Sequence, residues 1–248
     1  GLIRTMVSGK DVNINSFNRA ISAIRPLSST FKIITYIAAL NNNKSLKDKY
    51  DDIPTCWSNY CPKNFSDKYE GKISLIEAFK NSSNIVPIKI SEELGLEEII
   101  KVANKFGLGY SQEMKNNLSA AIGAYSDSLI NITNVYSTIN NEGELIQPSI
   151  LEKIESSNGE IIWENKYNSK RVLDKKLVEK LNLILEKSVS EGNGIAASIK
   201  GQKILGKTGT SDGNRDLWFI GSLKKNTTGI WLGSDDFKET NLSSGNAA

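Results

Sequence analysis

The sequence contains no histidine among its 248 residues, so a Ser-His-Asp catalytic triad is excluded. It contains only two cysteines, Cys56 and Cys61, and without histidine or a second cysteine pair these do not make a zinc site. We therefore expect no metal. The two cysteines are either a local disulfide, as in an exported protein, or two unpaired thiols.

Long apolar runs and an excess of one charge sign are also missing. No segment reaches the roughly 20 apolar residues of a membrane-spanning helix, and no signal peptide is visible. The 31 basic and 28 acidic residues nearly balance, without the clustered basic excess of a nucleic-acid-binding surface. We expect no nucleic-acid partner. Both ends look cut from a longer chain, so the missing anchor says little about location.

Periodicity and turn residues predict strands, then a long helical region, then strands. The first twenty residues are predicted as two short strands around a turn at Ser8-Gly9-Lys10-Asp11. Helices are predicted over Ser29 to about Asn41, Glu92 to Phe106, Leu129 to about Ile139, and Leu177 to Val189. A hairpin is predicted at 150–163, and strands at 202–210, 216–223 and 228–233.

This order predicts an α+β fold. We expect N- and C-terminal strands to share one antiparallel sheet, with a helical subdomain of about residues 33–190 inserted between them. The whole of 1–248 is interpreted as one domain, whose C-terminal covering helix lies outside this chain.

The start of the first long helix carries a candidate nucleophile and base. Ser29 and Lys32 are three residues apart, so they lie on one helix face and the amine can reach the hydroxyl. Burial and a second cation would lower the lysine pKa from about 10.4 and make it a usable base. Alone, the pattern more often means a capped helix with an exposed lysine, and Ser222-Leu223-Lys224-Lys225 repeats the spacing at a strand end.

Two further segments carry matching chemistry. Ser82-Ser83-Asn84 offers a hydroxyl and a carboxamide that can relay a proton and hold a peptide group, although alone it describes an ordinary helix cap. In Lys207-Thr208-Gly209-Thr210, two hydroxyls suited to a carboxylate share one strand face and Lys207 lies on the other. Gly209 permits close approach of another backbone, while the alternative is a polar strand end.

The three segments occur in the order Ser-x-x-Lys, Ser-x-Asn, Lys-Thr-Gly, which is known in class A β-lactamases and penicillin-binding proteins. Flanking segments resemble bifunctional (class A) penicillin-binding proteins along essentially the whole chain. They are FNRA at 17–20, PKNF through YEGKISL at 62–75, GNGIAA at 192–197, KTGTSDGNRDLWFIG at 207–221 and WLGSDD at 231–236. One departure is Ser28, which stands where the family has glycine before the nucleophile.

The resemblance implies a D,D-transpeptidase that cross-links peptidoglycan stem peptides ending in D-Ala-D-Ala and is acylated by β-lactams. It implies no cofactor. The implied catalytic residues are Ser29 as nucleophile, Lys32 as base, Ser82 as proton relay and Lys207 as a source of positive field. The implied substrate-binding residues are Asn84, Thr208, Gly209 and Thr210. The backbone N–H groups of Ser29 and Thr210 would form the oxyanion hole.

The implied location is extracytoplasmic, at the periplasmic face of the cytoplasmic membrane. The parent protein would carry its membrane anchor and a glycosyltransferase domain outside this chain. Three alternatives share the site: a β-lactamase, a D,D-carboxypeptidase and a β-lactam sensor or silent scaffold. The β-lactamase is disfavoured because no matching glutamate loop can be placed between the second and third motifs.

Overall fold

The C-terminal strands form the main sheet. In the computed structural model, which describes residues 1–10, 16–109 and 117–248, three strands pair antiparallel in the order β11-β10-β9. They are β9 (Ile204–Thr210), β10 (Asp216–Leu223) and β11 (Asn226–Gly233). Alternation along β10 puts Trp218 and Ile220 in the main core and Phe219 on the opposite face. β9 therefore lies at one edge of this sheet.

The described residues also include seven α-helices. They are α1 (Arg19–Ser22), α2 (Lys32–Asn41), α3 (Leu75–Lys80), α4 (Ile85–Leu94), α5 (Leu96–Lys105), α6 (Leu129–Asn140) and α7 (Lys175–Ser190). Short antiparallel pairs join β1 (Arg25–Pro26) to β4 (Ser126–Asp127), β2 (Lys49–Asp52) to β3 (Gly71–Ser74), β5 (Glu144–Ile146) to β8 (Ser169–Arg171), and β6 (Lys153–Glu155) to β7 (Ile161–Glu164). No helix in the described ranges has the length and hydropathy to cross a bilayer.

Helix α2 is the centre of the core. Every residue from Lys32 to Leu40 is buried, and α2 packs against α4, α5 and α7. Its isoleucines and alanines point in all directions, as in a helix that is enclosed on every side. A lysine at its first position is therefore carried into the interior. Helices α6 and α7 connect this core to the sheet, α6 on β10 and β11 and α7 on β9.

The α+β class is confirmed, and so are most of the predicted elements. The helix expected from Ser29 is a short 3-10 helix, Ser28–Thr30, followed by α2. The predicted helices at 129–139 and 177–189 are α6 and α7, and the predicted hairpin is β6–β7. The strand expected at 216–223 is β10, with the same bounds.

Two predictions were wrong. The helix expected over 92–106 is interrupted at Gly95, whose φ of +81° ends α4 and starts α5. The described N-terminal residues do not join the main sheet, and Leu2 forms only an isolated bridge with Ser149. Helix α1 is found at 19–22, where the Asn18 side chain caps it by accepting from the Ala20 N–H. Asp11 of the turn expected there, and most of the strand expected after it, lie outside the described residues.

The turn before α2 is held by hydrogen bonds to two other segments of the chain. The Leu27 N–H donates to Tyr125 O at 2.8 Å, the Ser28 N–H to Gly123 O at 2.9 Å, and Trp218 Nε1–H to Pro26 O at 3.0 Å. Ser28 has a φ of +51°, a left-handed conformation that favours glycine, which is the residue that the resemblance led us to expect at this position.

We expect Gly123→Ala to lower the free energy of unfolding by about 2–5 kcal/mol. The backbone there is left-handed, which disfavours any side chain, and the added methyl group would overpack the contact with Ser28. Gly123 has a φ of +96°, and a Cβ would lie 1.8 Å from Ser28 O. Gly201→Ala is the matched control: its φ is +76°, but nothing lies within 4 Å of an added Cβ. Urea unfolding followed by circular dichroism measures both variants, and equal losses would contradict the importance of this contact.

Candidate active site

The structure brings the three motifs into one hydrogen-bonded cluster. Lys207 Nζ, on β9, donates to Ser82 Oγ at 2.9 Å. Lys32 Nζ, at the start of α2, lies 3.3 Å from the same oxygen. The Ser82 hydroxyl thus lies between two amines whose residues are distant in sequence. Such a hydroxyl can pass a proton from one side to the other.

The Lys32 amine has its donors committed to the second motif. It donates to Ser82 O at 2.8 Å and to Asn84 Oδ1 at 2.6 Å. A neutral amine has two N–H bonds and one lone pair, so donation to these two acceptors leaves the lone pair for a hydroxyl, and Ser82 Oγ lies 3.3 Å away. Ser29 lies one turn before Lys32, and its hydroxyl makes no hydrogen bond to any described residue.

Burial lowers the pKa of both amines. The side chains of Lys32 and Lys207 are fully enclosed. Burial, reinforced by the positive charge of Lys207, holds the pKa of Lys32 well below its ordinary value, while the Asp52 carboxylate acts in the opposite direction. Burial alone lowers the pKa of Lys207 to about 7. Amines of this kind are usable acid–base groups near neutrality.

A strained turn presents the second motif. Helix α3 ends at Lys80 and α4 begins at Ile85, so Ser82 lies in the connection between them. Ser82 has a φ of +58°. A non-glycine residue in this region costs about 1–3 kcal/mol and persists only where the surroundings hold it. Hydrogen bonds from Lys32 to Ser82 O and from the Asn84 N–H to Asn64 supply that hold.

Two residues that hold this turn were missed by the sequence analysis. Asp52 accepts hydrogen bonds from Asn64 Nδ2 at 2.8 and 3.0 Å and from Ser83 Oγ at 2.6 Å. Asn64 Oδ1 in turn accepts from the Asn84 N–H at 2.7 Å. The available signal was alternation along β2, which buries Asp52 on the same side as Tyr50.

The third motif lies on the edge strand β9. Thr208 pairs with Phe219 and Lys207 with Ile220, so Lys207 faces the main core and the two threonines face the other way. The predicted close approach at Gly209 is present, because a Cβ there would lie 3.0 Å from Thr30 Cγ2. The hydroxyls of Thr208 and Thr210 make no hydrogen bond to described residues.

The backbone of β9 also offers a donor on the side that faces away from β10. The Ser211 N–H donates to Asp216 O at 3.0 Å, which makes these two a hydrogen-bonded pair of the ladder. Because such pairs alternate along antiparallel strands, the Thr210 N–H points away from β10, towards the free edge of the sheet.

The two cysteines are joined in a disulfide, with a Cα–Cα distance of 4.2 Å. This decides between the two alternatives left open above. The loop it closes contains Trp57, whose Nε1–H donates to Glu92 Oε2 at 2.9 Å. Across the described ranges, no three acidic or thiol side chains converge to hold a metal ion.

Comparisons with known proteins agree with this geometry. Residues 1–234 match the family model described as the penicillin binding protein transpeptidase domain. Penicillin-binding protein 1A of Rickettsia prowazekii is 29% identical over 268 residues, which cover 96% of this chain and 34% of that protein. The chain therefore spans about a third of the length of the curated relatives it matches.

Two solved structures from Mycobacterium tuberculosis share the fold. The penicillin-binding protein PonA1 matches with a TM-score of 0.84 at 21% identity, covering 96% of this chain and 67% of that one. Penicillin-binding protein A, solved as an imipenem acyl-enzyme complex, matches with a TM-score of 0.81 at 21% identity, covering 93% of this chain and 60% of that one. With the family model matching residues 1–234, the chain belongs to the family of penicillin-binding protein transpeptidase domains.

Proposed function

We propose that this chain is a serine-type D,D-transpeptidase domain that cross-links peptidoglycan stem peptides ending in D-Ala-D-Ala and is acylated by β-lactams. The observation that carries the proposal is the Ser82 hydroxyl held between the buried amines of Lys32 and Lys207. This arrangement supplies acid–base chemistry to a nearby serine without histidine. The acyl-enzyme of a protein with the same fold supports covalent chemistry at this site.

Ser29 is the proposed nucleophile. Its oxygen attacks the carbonyl carbon of the penultimate D-Ala while its proton passes to the lone pair of Lys32. Ser82 then gives its proton to the departing amine of the terminal D-Ala and takes one from Lys32. The peptide C–N bond breaks and an ester to Ser29 forms. The amine of a second stem peptide attacks this ester, makes the cross-link and returns the proton to Ser29.

The remaining motif residues bind the substrate in this proposal. The N–H groups of Ser29 and Thr210 stabilise the oxyanion, and the direction of the Thr210 N–H supports that role. The hydroxyls of Thr208 and Thr210 bind the terminal carboxylate beside the positive field of Lys207, with Gly209 allowing β9 to approach the Ser29 turn closely.

Asn84 is proposed to bind the substrate amide. It has capacity for this beyond its present partners, because its Oδ1 accepts from Lys32 and its Nδ2 donates one hydrogen to Lys63 O at 2.6 Å. One N–H and one lone pair of the carboxamide remain for a peptide group.

The proposal extends to the parent protein. The relatives are about three times as long as this chain. We therefore infer that residues 1–248 are one domain of a class A protein that also carries a membrane anchor and a glycosyltransferase domain. The domain would then act outside the cytoplasm, where stem peptides are cross-linked.

We expect Ser29→Ala to abolish labelling by a fluorescent penicillin, because the ester cannot form without the hydroxyl. Ser222→Ala is the matched control, since Ser222 begins the other Ser-x-x-Lys pattern but its hydroxyl is bonded to Thr227 Oγ1 on a strand. That variant should label like the unmodified protein. Mass spectrometry of peptides locates the adduct, and labelling that survives Ser29→Ala would exclude the proposed nucleophile.

The plot of acylation rate against pH should be bell-shaped. As pH falls through the lowered pKa of Lys32, the amine becomes charged and no longer accepts the Ser29 proton, so acylation slows. As pH rises through about 7, Lys207 loses the charge that holds the carboxylate. Stopped-flow acylation between pH 4 and pH 10 measures both limbs.

Lys207→Arg separates the two limbs. Arginine stays charged throughout this range, so the variant should lose the alkaline limb and keep the acid limb, even with a lower maximum. An alkaline limb that persists unchanged in Lys207→Arg would contradict its assignment to Lys207.

The penicilloyl adduct should be long-lived. In the described part of the chain, no carboxylate hydrogen-bonds to Ser29, Lys32, Ser82 or Asn84, so none is placed to activate a hydrolytic water. We expect slow release of the adduct, and cross-linked products from lipid-linked glycan strands with the full-length protein. Rapid release of hydrolysed penicillin would instead indicate a β-lactamase, and release of D-Ala without cross-links a carboxypeptidase.

A further inference from the structure

We propose that Asp52 and Asn64 are positioning residues for acylation, which together hold the Ser82–Asn84 turn against Lys32. The inference rests on the proposed function, because it assigns these residues a part in that same reaction. Neither residue hydrogen-bonds to the hydroxyl of Ser29, so each acts on acylation through the positions of Ser82, Asn84 and Lys32.

Asp52 is the central acceptor of the hydrogen-bond network that holds this turn. It is 2% exposed and lies on β2, outside all three motifs. Its carboxylate accepts two hydrogen bonds from Asn64, one from Ser83 Oγ and one from the Glu70 N–H at 3.1 Å. A buried carboxylate with its acceptor positions filled by donors from separate segments holds those segments in one arrangement.

One branch of the network fixes the start of α4. Ser83 Oγ gives its hydrogen to Asp52 and accepts from the N–H groups of Ile85 at 3.2 Å and Val86 at 3.1 Å. It therefore caps the helix while tied to the carboxylate. Its neighbour Ser82 is left with the strained left-handed backbone that directs its hydroxyl towards the two amines.

The second branch fixes Asn84. Asn64 donates to Asp52 and to Lys68 O, and its Oδ1 accepts the Asn84 N–H at 2.7 Å. The adjacent Lys63 carbonyl accepts from Asn84 Nδ2. The backbone and the carboxamide of Asn84 are thus both held by residues 63 and 64. The Asn84 carboxamide oxygen accepts from Lys32 Nζ, so a continuous chain of hydrogen bonds runs from Asp52 to the proposed base.

Asp52 also carries charge. The charged groups that act on Lys32 are Lys207 from β9, which disfavours the ammonium form, and Asp52 from β2, which favours it. Loss of the Asp52 charge should therefore lower the pKa of Lys32 further and leave the base neutral at lower pH. A residue that merely stabilised the fold would not move the acid limb of the acylation rate.

The test compares two buried carboxylates with similar partners. Asp127 is also buried and accepts from the Tyr125 hydroxyl at 2.8 Å, from the side chain of Asn131 at 2.7 Å, from the Ser128 N–H at 2.7 Å and from Ser128 Oγ at 3.4 Å. None of these partners hydrogen-bonds to Lys32, Ser82 or Asn84. Asp127→Asn therefore reports what loss of a buried carboxylate does by itself.

For Asp52→Asn we expect the acylation constant for a fluorescent penicillin to fall between about tenfold and a hundredfold, as for other displaced catalytic groups. The acid limb should move to lower pH. Asp127→Asn should acylate close to the unmodified rate, with its acid limb unmoved, at a comparable loss of melting temperature.

Asn64→Ala is the second variant and also serves if Asp52→Asn does not fold. It removes the hold on Asn84 but keeps the Asp52 charge, so it should lower the maximum rate without moving the acid limb. The inference is overturned if Asp52→Asn or Asn64→Ala acylates like the unmodified protein, or if Asp127→Asn loses as much. An unmodified protein that is not acylated would instead overturn the proposed function.

Discussion

The desolvation of two lysine amines around one serine hydroxyl is the interaction on which the rest of the site depends. Lys32 and Lys207 are fully enclosed, and burial is the first cause of the lowered pKa of each. Two ammonium groups at such a site would be costly in a dry interior, which favours at least one neutral amine. In a chain without histidine, this is how a group able to accept a serine proton near neutral pH arises.

The fold has to keep both amines buried and in position. Helix α2 carries Lys32 into the core because most of its other side chains are apolar and every residue from Lys32 to Leu40 is buried. The turn residues Ser28 and Ser82 both adopt left-handed backbone, which the surrounding hydrogen bonds and packing stabilise. Strain at both hydroxyl-bearing turns is kept because their neighbours leave no alternative conformation. Rigid elements on three sides thus set the distances between the amines and the hydroxyl.

Local patterns predicted the elements that depend on local residues. α6, α7 and β10 follow from periodicity and their flanking turns, and α2 follows from its apolar spacing, although its expected first turn is a 3-10 helix. The helix expected over 92–106 failed because one glycine, Gly95, takes a backbone conformation that periodicity does not report. The strand predicted before the N-terminal turn failed because strand pairing is non-local, and the described partner of Leu2 lies elsewhere.

The sequence by itself determined what the site lacks and which residues are its candidates: it contains no histidine that could serve as a base, and three ordered motifs name the candidate residues. Only the tertiary structure decided that the Lys32 amine bonds to Ser82 and Asn84, and that Asp52 anchors that turn through Asn64. The physical reason is that pKa shifts and hydrogen-bond partners depend on burial and on contacts between distant residues. Lys207 and Ser82, for example, meet across 125 positions of the chain.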